Sequence, residues 1–156
     1  MKKALLLAFT CILYFAVNAQ TLKDEIQIIQ GLYGMEKQKA VEEAMNLSAS
    51  EANVFWPLYE KYETERKKLG AERLTIIADY AANYVGLTGQ KADELAQRIF
   101  KNDLAFDKLH RKYFNVIKKQ VGALKAAQFM QIESYLQNSV RVAIANELPF
   151  IGEIKK

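Results

Sequence analysis

Helix breakers are scarce enough in this chain to set its architecture. From Ser48 to Tyr84 only Pro57 and Gly70 interrupt the run, and from Gln90 to Val121 and again from Ala123 to Leu148 there is neither proline nor glycine. The whole sequence of 156 residues holds two prolines and seven glycines. Where so little punctuates the backbone and apolar residues recur every three or four positions, long helices form. No stretch alternates apolar and polar residues for long enough to specify a strand. The expected fold class is therefore all-α, with about four helices and short connections, as a long antiparallel helical hairpin or an elongated bundle.

Thr21 is placed to cap a first helix, with Asp24 three residues on. Leu22, Ile26, Ile29, Tyr33 and Val41 keep mostly helical intervals to about Met45, across weak points at Gly31 and Gly34. Ser48 and Glu51 make a capping box, in which hydroxyl and carboxylate each satisfy an otherwise unpaired amide. The helix they start should reach about Tyr84, with Val54, Leu58, Tyr62, Leu69, Ile76, Tyr80 and Tyr84 as its apolar stripe. Pro57 removes one hydrogen bond inside it, so a bend is expected near Asn53 to Pro57. Glu63 with Lys67, and Glu65 with Lys68, are read as pairs on its outer surface.

A break at Gly86 to Gly89 follows, where Thr88 can cap a third helix to about Gln120 striped by Leu95, Ile99, Phe106, Leu109, Tyr113 and Ile117. A fourth helix, from about Leu124 to Glu147, shows Phe129, Ile132, Leu136, Val140 and Ile144 on one face. Pro149 ends it, because the residue before a proline is pushed out of the helical region.

The beginning of the chain reads as an address. Lys2 and Lys3 precede an uncharged, mostly apolar run from Ala4 to Val17, which falls short of the roughly 20 residues needed to span a bilayer. Val17 and Ala19 place small side chains where signal peptidase reads them, so residues 1–19 are expected to be a signal peptide cleaved after Ala19. Residues 20–156 would then form a single helical domain in the periplasm or another exported compartment, with no stable membrane insertion. Cys11, the one cysteine, follows Thr10 in the middle of the apolar run and does not suit lipidation. Its removal leaves no thiol for disulfides or metal. The net charge of +4 falls by two without Lys2 and Lys3, and no basic block marks a nucleic-acid footprint.

Catalysis needs a nucleophile with its base, paired carboxylates or a metal. The only histidine, His110, follows Asp107 by one helical turn, half of a bundle-type metal site, but the pattern is not repeated. Neither a C-x-x-C-H haem attachment nor a phosphate loop is present, and Met35, Met45 and Met130 read as core filler. The expectation is no enzyme, no metal and no cofactor, with His110 solvated between Leu109 and Arg111. Aromatic density is the unusual feature: Phe55, Trp56, Tyr59 and Tyr62 fall within eight residues, Tyr80 and Tyr84 lie further along, and Phe100, Phe106, Tyr113 and Phe114 follow on the third helix. Such residues fill cores, yet a thin bundle leaves some of them to form a binding surface.

Just ahead of that cluster, Leu47-Ser48-Ala49-Ser50-Glu51-Ala52 resembles the L-T-x-x-Q motif of the Spy/CpxP family of small periplasmic helical proteins, with Ser48 for the threonine and Glu51 for the glutamine. Leu124 to Gln128 is a looser echo that keeps the leucine and the glutamine. The runs Phe55 to Tyr59 and Phe129 to Glu133 look similar to exported helical proteins of Bacteroidota related to that family. The resemblance covers the chain from about Ala40 onward. It implies a curved helical hairpin, a cradle-like homodimer, and ATP-independent holding of unfolded or partly folded envelope proteins. Client contacts would then be Phe55, Trp56, Tyr59 and Tyr62, with Arg66 and Lys67 as charged neighbours, while Leu47, Ser48, Glu51, Leu124 and Gln128 serve as motif and helix-cap positions. The alternative is a regulatory, sensor or structural envelope protein with one specific partner.

Overall fold

The computed structural model describes residues 33–152. The expected signal segment, the Thr21 cap and the beginning of the first helix lie outside them. Four helices and no strand are found among the described residues: α1 (33–45), α2 (Ala49–Asn83), α3 (Gly89–Val121) and α4 (Ala123–Glu147). At about 1.5 Å per residue, α2 and α3 are each roughly 50 Å long.

Local chemistry accounts for the boundaries. Asn46, at φ 42°, turns the chain out of α1 in a region that asparagine tolerates. Ser48 then caps α2: its Oγ accepts from the Glu51 N–H at 3.4 Å, and Glu51 Oε2 accepts from the Ser48 N–H at 2.9 Å. The backbone bond from Ser48, followed by its hydroxyl, holds the Glu51 carboxyl below its ordinary range. α2 is one helix on both sides of Pro57. Pro57 and Asn53 are both exposed, so water can reach the Asn53 carbonyl that lacks a helical donor. Thr88 caps α3 by accepting from the Lys91 N–H at 3.2 Å.

Contacts between helices give the topology. Lys112 reaches Glu65, Asn102 donates to the Leu69 carbonyl, Arg98 reaches Glu72 and Lys91 reaches Asp79. Residue numbers rise along α2 as they fall along α3, so the two are antiparallel. α4 runs with α2: Phe129 packs on Phe55, and near the other end the Tyr80 hydroxyl donates to the Pro149 carbonyl at 2.7 Å. α1 closes the half of the bundle that holds the start of α2, because Lys125 donates to the Met45 carbonyl at 2.6 Å and Gln128 to the Ala44 carbonyl at 2.9 Å. Cations and amide donors at a helix C-terminus satisfy its last carbonyls and oppose its dipole.

The main core lies in that half. Val41 and Met45 meet Phe55, Tyr59, Tyr62, Tyr113, Ile117 and Phe129 there. On α3 the expected stripe is buried at Leu95, Phe106, Leu109, Tyr113 and Ile117, with Asn102 filling the step between. On α2 Tyr62 and Ile76 are buried as expected, but near the start of the helix the seam falls one residue later than expected. Phe55 and Tyr59 are buried, whereas Val54 is exposed and Leu58 only partly covered. Aromatic side chains bury about 150–250 Å² each, and that area outweighs a valine at the neighbouring position.

Ser48→Ala should lower stability by about 1 kcal/mol, while Ser48→Thr, which keeps the hydroxyl, should stay near wild type. Urea denaturation followed by helical circular dichroism measures both, and equal loss in the two variants would exclude the cap as the cause.

Candidate functional site

The cluster that most departs from an ordinary helical core is ionic. Lys37 of α1 enters the interior between α2 and α4. Its Nζ donates to Glu63 Oε1 at 2.5 Å and is ion-paired to Glu133. Arg66 Nε donates to both Glu63 oxygens, at 2.9 and 3.0 Å. Lys37 and Glu133 are each 1% exposed, and Glu63 and Arg66 are each 7% exposed. Two cations therefore face two carboxylates behind closed walls.

Aromatic rings form those walls. Lys37 Nζ lies 5.1 Å from the Tyr62 ring centre and 5.9 Å from that of Tyr59, and the Arg66 guanidinium carbon lies 5.1 Å from that of Tyr33. Burial pushes the Lys37 ammonium below its ordinary value, opposed by Glu133 and Glu63. Burial also works against the Arg66 charge, but Glu63, Glu133 and Tyr33 outweigh it and hold the guanidinium above its ordinary value. The Tyr33, Tyr59 and Tyr62 hydroxyls are driven well above the tyrosine range, first by burial and then by the carboxylates. At its edge Glu63 and Tyr59 line an open pocket with Gly34, Gln38, Thr64 and Lys67, but the cluster itself is buried. It joins three helices.

This placement corrects several expectations. Glu63 is not a surface partner of Lys67; it turns inward to Lys37 and Arg66. Glu65 ties α2 to α3, accepting from Lys112 Nζ at 2.7 Å and from the Tyr113 hydroxyl at 2.8 Å. Burial and this carboxylate push the Tyr113 phenol up to about 12. Of the residues expected to touch clients, Phe55, Tyr59, Tyr62 and Arg66 are buried. On the folded chain Phe129 packs against the Phe55 and Tyr62 rings, at 5.3 and 5.4 Å between ring centres. Trp56 is half-buried, edge-on to Phe55 and Tyr59, and Lys67 is half-buried. Of the motif positions, Ser48 and Glu51 cap α2, Leu47 packs on the core, Gln128 caps the end of α1, and Leu124 stands in solvent.

His110 is also not solvated. It is half-buried against Phe106 and Tyr62, with ring centres 6.1 and 6.2 Å away, and its Nε2 is enclosed without a hydrogen-bond partner. Burial lowers its pKa from the ordinary 6.5. No group of three or more histidine, cysteine or acidic side chains that could hold a metal occurs among the described residues.

The most open surface of unusual chemistry lies on α4. Leu124, Ala127, Gln131, Ser134, Tyr135, Asn138, Ser139, Val142, Ala145 and Asn146 are exposed, and none is charged. The charged residues of this helix, Lys125, Glu133, Arg141 and Glu147, are all at least partly covered. Arg141 reaches Asp103 of α3 at 2.9 Å. Along the outer stripe, Leu124, Tyr135 and Val142 are 82%, 72% and 59% exposed.

No family model, no curated protein and no solved structure matches the chain. Among the described residues no helix is long and apolar enough to cross a membrane.

Lys37→Met should cost about 3–5 kcal/mol of unfolding free energy, because it strands buried Glu133 and halves the pairing of Glu63. Adding Glu133→Leu leaves only the neutral Glu63–Arg66 pair and should restore most of the loss, a coupling that a double-mutant cycle in urea reads directly. A second expectation concerns pH. The folded state disfavours protonated His110, whereas the unfolded chain takes up the proton at its ordinary value, so stability should fall as pH drops below 6.5. His110→Phe should flatten that slope between about pH 7.5 and about pH 5.5.

Proposed function

We propose that this chain is an exported, ATP-independent binding protein of chaperone type that holds unfolded or partly folded envelope proteins in the periplasm. The observation that carries the reading is the outer face of α4, where Leu124, Tyr135 and Val142 stand in solvent among Gln131, Ser134, Asn138 and Ser139 with no charge between them. Exposed apolar side chains in register along a helix mark a contact surface. Glutamine, asparagine and serine can donate to and accept from an extended backbone, and a face without fixed charge rejects neither acidic nor basic segments. The Leu47 to Ala52 and Leu124 to Gln128 segments, similar to the Spy/CpxP motif, support the same reading. Client contact is assigned to α4 rather than to the buried cluster around Phe55.

Light scattering of a denatured model protein diluted into buffer tests this, with and without the chain and without ATP. Near-stoichiometric amounts should suppress aggregation. Tyr135→Glu with Val142→Glu should abolish the effect while the helical signal is unchanged. No suppression with several unrelated clients would overturn the holding activity and leave a regulatory, sensor or structural protein with one specific partner.

A further inference from the structure

The back of α3 carries a different surface from α4. Phe100, Leu104, Lys108, Arg111, Asn115 and Lys118 follow one another at steps of four, four, three, four and three, and all are exposed. They form one stripe opposite the buried Leu95, Phe106, Leu109 and Tyr113. Exposed Lys101 and Lys119 flank it. At about 1.5 Å per residue the stripe is roughly 27 Å long.

Its charges are unbalanced. Asp107 is the one exposed carboxylate between Phe100 and Lys119, and Asp103 is occupied by Arg73 and Arg141. Lys101, Lys108, Arg111 and Lys119 make no ion pair among the described residues, whereas Lys91 and Arg98, nearer the start of the same helix, are matched by Asp79, Glu94 and Glu72. The exposed charges of α1, tied to α2 and α4, are mostly acidic: Glu36, Glu42 and Glu43 against Lys39. Attraction of an anionic surface to α3 and its repulsion from α1 would orient the molecule before contact.

We propose that the α3 stripe docks this protein peripherally on an anionic lipid surface. Unlike the uncharged outer face of α4, this stripe combines unmatched cations with two apolar side chains at one end, the chemistry of a headgroup boundary. A bilayer is flat on this scale and meets the whole stripe at once. Lysine and arginine then sit among the phosphate headgroups, while Phe100 and Leu104, 64% and 55% exposed, enter the boundary with the acyl chains. The inference concerns a surface other than α4 and stands whether or not the chain holds clients.

Vesicle co-sedimentation tests it, using vesicles of phosphatidylcholine alone and vesicles containing phosphatidylglycerol. All proteins compared are the chain from Gln20 to Lys156, so the apolar run of residues 4–17 contributes nothing to vesicle binding. Wild type should bind the anionic vesicles, release in high salt and ignore the neutral ones. Each cation removed should weaken binding about fivefold, so Lys108→Gln with Arg111→Gln should lose more than tenfold, and Phe100→Ser with Leu104→Ser should also weaken it. Aggregation suppression should survive in these variants, which separates the two surfaces. Equal binding to neutral vesicles, full binding by the glutamine variant, or no binding to anionic vesicles would each overturn the proposal. Binding of soluble polyglutamate without vesicle binding would replace the lipid with an acidic protein segment.

Discussion

The bundle depends on a buried ion pairing that has only one geometry. Lys37 must reach Glu63 on α2 and Glu133 on α4 at once, and only one rotation and one height of α1 allow it. Apolar contacts from Val41 and Met45 would tolerate a helix that slides or turns slightly. A lysine removed from water does not, since a wrong position leaves Lys37 and Glu133 unmatched and Glu63 with Arg66 alone. The cluster thus contributes definition more than net stability. It sets where α1 lies, and so where α1 presents its C-terminal carbonyls to Lys125 and Gln128.

The other half of the bundle is held by different means. Ile76, Leu95, Phe106 and Ile144 are the buried apolar residues outside the main core. Around them Asp103 is shared between Arg73 and Arg141, and Asp79 between Lys91 and Arg98. These pairs are partly solvated, and each stabilises by a few tenths of a kcal/mol to about 1 kcal/mol. One half is specified by a dry cluster and aromatic packing, and the other by a wet network that salt weakens.

How legible this was depended on whether a residue's chemistry and its position agreed. On α3 they did: the apolar steps Leu95, Phe106, Leu109, Tyr113 and Ile117 are the buried ones, and only Asn102 was overlooked. The Ser48–Glu51 cap was equally plain, because a cap is local in sequence. On α2 a count of apolar residues chose Val54 and Leu58 over the larger Phe55 and Tyr59 one step away. The ionic cluster escaped for a related reason. Lys37 precedes Val41 by four, Glu63 follows Tyr59 by four and Glu133 follows Phe129 by four. Each sits on a core-facing step, a signal that apolar periodicity discards because the residue is charged. Aromatic density around Trp56 was ambiguous in principle, since core and binding surface favour the same residues. The α3 cations escaped a search for contiguous basic blocks because they are spaced by helical turns.

One joint in the chain has no slack. α3 and α4 are separated by Gly122 alone, held at φ 89° and ψ 163° in open space, where the barrier to other residues is backbone conformation and not crowding. A loop of several residues absorbs insertions, but a single-residue joint transmits them whole. One added residue would turn α4 by about 100°, swinging Glu133 away from Lys37 and carrying the uncharged face toward the interior. Length changes in relatives of this protein should therefore gather at the Val85 to Leu87 end of the hairpin, leaving the Gly122 end invariant in spacing and in its glycine.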